Sequence, residues 1–227
     1  MKIRSIKCYH AIFNNSISID FSKNGKDLNG MFCLHGGPNS GKSLLLNGVA
    51  TRWSQHVFSN DDSIKRSALM DVEFDMDRVG LLSISRTSTP SANRQAFKDH
   101  SKITDSTIYG AIMYYPINRC FLSEESSFAE GSSSSGIFGI CSDIRTRKIQ
   151  NSTILIDDLD FKLNQNDFAL LYRFLSNFTK NNNNQIIATV SSPEAMSFFD
   201  KKKRIELSED TGIIEDIING KIKINGY

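Results

Sequence analysis

An α/β fold is predicted by three features of the sequence. Period-two strands stand near the N-terminus, a strand runs through a glycine-rich loop into a helix, and a β, α, β alternation follows residue 152. Together they describe a mixed sheet with an antiparallel N-terminal portion and a parallel core, because crossover helices between successive strands produce parallel pairing.

Residues 2–9 and 16–21 alternate apolar and polar side chains around the turn-like Asn14-Asn15, which is the pattern of half-buried strands. Residues 31–35 form a third strand, and residues 42–56 carry the helical spacing Leu45, Leu46, Val49, Trp53. A hairpin is expected over residues 68–75 and 80–86. Residues 87–107 are polar and turn-rich and read as a surface excursion, so the chain is treated as one domain, 1–227, with a variable insertion at about 87–108. Residues 109–115 form a strand ended by Pro116, and residues 123–135 are a serine-rich low-complexity loop. The last alternation is a strand at 153–156, a helix at 166–178 and a strand at 185–189, with the tract Asn181 to Asn184 as the intervening turn. Residues 212–218 and 221–224 around Asn219-Gly220 fit a terminal hairpin.

Length and composition fit a single soluble core. The 227 residues are 39% hydrophobic and 23% charged, and 27 basic against 25 acidic residues leave a formal charge of +2, too balanced for an overall electrostatic sleeve around nucleic acid. Cys8, Cys33, Cys120 and Cys141 form no CxxC pair, and His10, His35, His56 and His100 show no ligand spacing, so structural thiols and histidines are expected. No signal-peptide core and no long apolar run is present, which points to the cytoplasm without a membrane span.

The glycine-rich segment Gly36-Gly37-Pro38-Asn39-Ser40-Gly41-Lys42-Ser43, followed by Leu44, satisfies GxxxxGK[ST] in its required setting between strand and helix. Glycines let backbone N–H groups close around phosphates, and the helix that follows offers its positive end to them. Lys42 is then expected on the β- and γ-phosphates of ATP, and Ser43 on Mg2+. Asp157 ends an apolar strand where a carboxylate reaches the metal, and Asp158 beside it is the candidate to polarise the attacking water. The bland alternatives are a chance glycine loop and a pair of solvated carboxylates; finding both motifs in the right order favours the functional reading.

On these residues the sequence resembles the ABC-type ATPase heads of the OLD, RecF and SMC group, also described as AAA-family ATPases of bacterial defence or mobile-element type. The strand Phe32-Cys33-Leu34-His35 leading into the loop is similar to theirs. So are Asp157-Asp158-Leu159-Asp160 and Ala188-Thr189-Val190-Ser191-Ser192-Pro193-Glu194, set against the family's DEPE and ATTHSPE segments. The likeness spans both ends of the chain and leaves 51–122 largely unmatched. It implies a signature segment about twenty residues before the acidic strand, where Ser132 to Ser135 and Gly136 stand. Hydroxyls and N–H groups at a helix start suit an oxyanion. Ser134, Ser135 and Gly136 are therefore preferred as a contact to a partner's nucleotide, with a plain connector as the alternative.

Three departures matter. Asp158 replaces the family's Glu and is one methylene shorter, Ser191 stands at the switch histidine and cannot carry charge near neutrality, and only Gln95 and Asn118 are weak candidates for the glutamine of the metal site. Lys201-Lys202-Lys203-Arg204 reads as a solvated edge, with nucleic-acid contact as the lesser alternative. The resemblance implies a homodimer closed around Mg·ATP that regulates a separate effector, a nuclease or toxin of an anti-phage system, since no long coiled coil and no nuclease domain is read in the chain. A nucleotide-gated scaffold with little turnover and the ATP-binding subunit of a membrane transporter are the rival readings.

Overall fold

The computed structural model describes residues 1–8, 17–22, 27–37, 40–58, 70–76, 80–85, 90–104, 106–116 and 136–207. Its elements follow the order β1 (Lys2–Cys8), β2 (Ile17–Asp20), β3 (Gly30–His35), α1 (Lys42–Phe58), β4 (Met70–Met76), β5 (Gly80–Ile84), α2 (Pro90–His100), β6 (Lys102–Ile103), β7 (Thr107–Tyr109), β8 (Ile112–Tyr115), α3 (Gly136–Thr146), β9 (Lys148–Gln150), β10 (Thr153–Ile156), α4 (Gln165–Asn181), β11 (Gln185–Thr189), α5 (Pro193–Ser197) and β12 (Arg204–Glu206).

The period-two strands pair as their pattern requires. β2, β1, β4 and β5 form an antiparallel sheet in that order, and β4 buries Met70, Val72, Phe74 and Met76 on one face. The second sheet, ordered β12-β3-β11-β10-β8, is parallel throughout. Its central strands are continuous buried runs, TILI in β10 and QIIAT in β11, as expected where helices cover both faces. The two larger sheets of the mixed fold are therefore of different kind, joined at a buried amide. Gln185 on β11 accepts from the Ile3 N–H at 2.8 Å and donates to the Ile3 carbonyl at 2.9 Å, so β1 is bonded to the parallel core through a side chain with its polar atoms satisfied.

The middle of the chain differs from its sequence reading. Residues 90–100 form helix α2 rather than turns, and Phe97 on it is fully buried in an edge-to-face contact with Phe74 at 5.6 Å. The helical signal is weak because Asn93 and His100, polar residues, share the buried face. The strand expected over 109–115 is broken at Gly110, whose φ of +63° turns the chain from β7 into β8. There a Cβ would sit 2.7 Å from the His100 ring. β6, β7 and β9 then make a small third sheet. The tail hairpin, the Asn14-Asn15 turn and the serine-rich loop lie outside the described residues.

Helix α4 starts on Asn164, whose side chain accepts the Asp167 N–H, and buries Phe168, Leu171 and Leu175 as its periodicity predicts. Among the described residues no helix is long and apolar enough to cross a membrane. In the basic run 201–204, Lys203 donates to the Asn29 carbonyl, and Arg204 to the carbonyls of Phe199 and Ser197.

Candidate functional site

β3, β11 and β10 are neighbours in the parallel sheet, and their carboxyl ends bring the glycine loop, Thr189 and the acidic pair to one edge, where ligands of open α/β sheets bind. At the end of β3, a Cβ on Gly36 would lie 2.3 Å from the Leu207 carbonyl and 2.7 Å from the Ser40 hydroxyl, so only glycine fits this turn. Ser40 is buried, and its N–H donates to the Gly37 carbonyl at 3.3 Å. Gly41 accepts the Leu45 N–H and opens α1. Pro38 and Asn39 lie outside the described residues.

The Lys42 ammonium is folded into its own loop, donating to the carbonyls of Gly36 at 2.7 Å and Gly37 at 2.9 Å and lying 3.4 Å from the Ser40 hydroxyl. These charge-assisted bonds hold the loop around one cation. The Ser43 hydroxyl donates to Asp157 Oδ1 at 2.9 Å, bringing together two residues 114 positions apart. Leu44 is 44% exposed on the first turn of α1.

Sequence reasoning missed the residue between them. β11 separates β3 from β10, so its last side chain stands between the serine of the loop strand and the acid of the next. That side chain is Thr189, fully buried. Its hydroxyl donates to Asp157 Oδ1 at 2.7 Å and accepts the Asp158 N–H at 2.7 Å, while its carbonyl accepts the Leu159 N–H at 2.9 Å. A strand-ending hydroxyl in the strand expected to neighbour both motifs was the available signal.

Asp158 holds a left-handed backbone at φ +44°, uncommon outside glycine. Its carboxyl titrates above the ordinary aspartate value because it is desolvated by burial and because the carboxylates of Asp157 and Asp160 repel its charge, opposed by the Ser191 hydrogen bond and Lys42. Ser191 Oγ lies 3.4 Å from Asp158 Oδ1. Asp160, also missed, accepts the N–H groups of Ser191 at 3.1 Å and Ser192 at 2.7 Å and so ties the acidic loop to the segment after β11. Asp158, Asp160, Phe161, Ser191 and Ser192 line a cavity of about 290 Å3.

Ser134 and Ser135 lie outside the described residues, and Gly136 is the first residue of α3. Gln95 sits on the exposed side of α2, donating to Asp99 Oδ1 at 2.6 Å, and is not among the residues gathered here; Asn118 is not described. Among the described residues no group of three or more His, Cys, Asp or Glu could hold a metal by itself.

A strand, glycine loop and helix beside a strand-end aspartate, with an antiparallel sheet packed on a parallel core, make the fold that of a P-loop ATPase head of the ABC type. Solved structures are similar to it. The chain is 11% identical to the SmcHead bound to the C-winged helix domain of ScpA, over 91% of this chain and 94% of that one, with a TM-score of 0.53. It is 13% identical to the SMC head domain from Thermotoga maritima, over 88% and 93%, with a TM-score of 0.49. At 11% identity the likeness to the SmcHead shows the fold alone. No family model matches the chain, and no curated protein matches it in sequence.

Proposed function

We propose that the chain binds Mg·ATP at this edge, closes as a homodimer around it and hydrolyses it slowly on behalf of a separate effector chain. The observation that carries the reading is the bond from Ser43 to Asp157, which joins the phosphate loop to the acidic strand end at 2.9 Å. In this reading the backbone N–H groups of the loop from Gly36 to Leu44, Pro38 having none, receive the phosphates, and Lys42 exchanges its loop carbonyls for phosphate oxygens. The residues fit a magnesium ion: a hydroxyl and a carboxylate oxygen suit a hard cation that takes one or two protein ligands and completes its shell with water and phosphate. Ser43 and Asp157 would hold it, and when bound it neutralises phosphate charge.

Asp158 is the proposed general base. Its raised pKa brings it closer to the range in which a carboxylate accepts a proton effectively, and it faces the cavity beside Ser191, which would orient the attacking water. Ser134, Ser135 and Gly136 are proposed to contact the nucleotide held by the second copy, on the ground that hydroxyls before a helix suit an oxyanion.

One solved neighbour has a winged-helix domain of a second protein bound to it, and an effector chain on this head is proposed by the same logic of fold. A nuclease or toxin effector and an anti-phage setting rest on the resemblance of the motifs alone, and a cytoplasmic location on the sequence reading of no signal-peptide core and no long apolar run. A second reading, a nucleotide-gated scaffold, is favoured by one observation: Ser191, at 3.4 Å from Asp158, supplies no charge where an imidazole would. Phosphate release by the purified chain, alone and with its co-purifying partner, separates the two. Release well above the Lys42→Ala variant supports the enzyme; ATP binding with no release under either condition supports the scaffold.

A further inference from the structure

We propose that Thr189 is a positioning residue of the site, its one hydroxyl holding the Asp157 carboxylate and the Asp158 backbone at once. The role rests on the nucleotide reading above and deepens it. Topology gives Thr189 this place, because β11 runs between β3 and β10 and ends level with both. Hydrogen-bond chemistry gives it the task. A threonine hydroxyl has one proton, and here that proton is directed to Asp157 Oδ1 at 2.7 Å, the oxygen that also receives the Ser43 hydroxyl. Both donors converge on this one oxygen, so the orientation of the carboxylate is tied to the two hydroxyls together.

The Thr189 hydroxyl oxygen itself accepts the Asp158 N–H at 2.7 Å. Asp158 sits at φ +44°, a conformation a non-glycine residue keeps only when its surroundings hold it there. The bond from its N–H, with the Leu159 N–H on the Thr189 carbonyl at 2.9 Å, anchors that turn and leaves the Asp158 side chain lining the cavity with Ser191. Thr189 is fully buried, so its hydroxyl meets both partners away from bulk water.

Two pairs of chains isolate the hydroxyl. Thr189→Val keeps the shape of the wild type without it, and Thr189→Ala differs from Thr189→Ser by that oxygen alone, which covers the case in which Thr189→Val fails to fold. Each full-length protein is titrated with a fluorescent ATP analogue in EDTA and in magnesium, and its melting temperature and phosphate release are recorded. The expected result is that the variants lacking the hydroxyl bind the analogue in EDTA within about twofold of their partners, yet lose about tenfold or more of the tightening that magnesium produces, the usual effect of removing a group that orients a metal ligand. Thr189→Ser is expected to retain the wild-type tightening and rate. Equal magnesium tightening in both members of each pair would overturn the role. So would an equal loss in Thr189→Ser and Thr189→Val with matching falls in melting temperature, which would make the side chain a packing element. A wild type that binds no analogue in either buffer overturns the nucleotide reading itself, and this role with it. That outcome is distinguished because Lys42→Ala would then bind no less than the wild type.

Discussion

Helix α1 joins two regions that carry charge differently. At its N-terminal end Lys42 is bonded to loop carbonyls, Ser43 to Asp157, and the acidic pair stands beside a cavity. Toward its C-terminal end Arg52 is 4% exposed and His56 fully buried, with the Arg52 guanidinium donating to the Ser85 carbonyl at 2.6 Å and neither His56 ring nitrogen finding a hydrogen-bond partner among the described residues. Burial and the charges of Arg52 and Arg94 push the His56 imidazole down to about 4, so it is neutral near pH 7. In one region polar groups are matched to one another and to a space a ligand can enter; in the other they are enclosed, and protonation can only be unfavourable. A charge change at the first region should alter function with little effect on folding, and at the second the reverse.

The largest expected effect is at the first region. Asp158→Asn keeps the shape of the side chain and removes the proton acceptor, so turnover should fall at least about a hundredfold, the scale of a lost general base. ATP binding should persist, and size-exclusion chromatography with ATP should show a dimer accumulating. Unaltered turnover would move the base to another group.

Gly36→Ala should come next, because its Cβ meets the Leu207 carbonyl at 2.3 Å, a backbone atom that yields only if β12 shifts. A loss of roughly 1–3 kcal/mol in stability, read by urea unfolding, should accompany weakened nucleotide binding. A variant with wild-type stability and affinity would show that the turn is not so constrained.

The smallest effect belongs to the second region and concerns pH. The His56 pKa is lowered in the fold, so the unfolded chain takes up the proton first. The stability His56 contributes is present in full above the ordinary imidazole value of 6.5 and is lost as pH falls toward about 4. By linkage this amounts to about 2 kcal/mol between pH 7 and pH 5. His56→Leu should remove that part of the acid sensitivity while leaving nucleotide affinity at pH 7 unchanged. Equal acid sensitivity in both proteins, measured by urea midpoints at the two pH values, would contradict the assignment.

The same contrast explains what could be read from the sequence. β10 and β11 were legible to the residue because strands buried on both faces leave short runs with an apolar centre, and the loop was legible because phosphate-binding backbone demands glycine at set positions. Helix α2 was hidden because Asn93 and His100 occupy its buried face, and the break at Gly110 was hidden because one left-handed residue leaves no periodic trace. Thr189 and Asp160 escaped for another reason. Their importance arises from strand order, which sets β11 between the two motif strands, and strand order is not written in local pattern.

The central claim is that the loop from Gly36 to Ser43 is a nucleotide site that depends on the Lys42 charge. Equilibrium titration of the full-length chain with ATP in magnesium, beside Lys42→Ala with its fold checked by circular dichroism, tests it most directly. Saturable binding by the wild type and none by the variant, at equal secondary structure and melting temperature within a few degrees, is the expected result. Equal affinity in the two proteins would contradict the phosphate-loop assignment and, with it, the functional reading of the whole sheet edge.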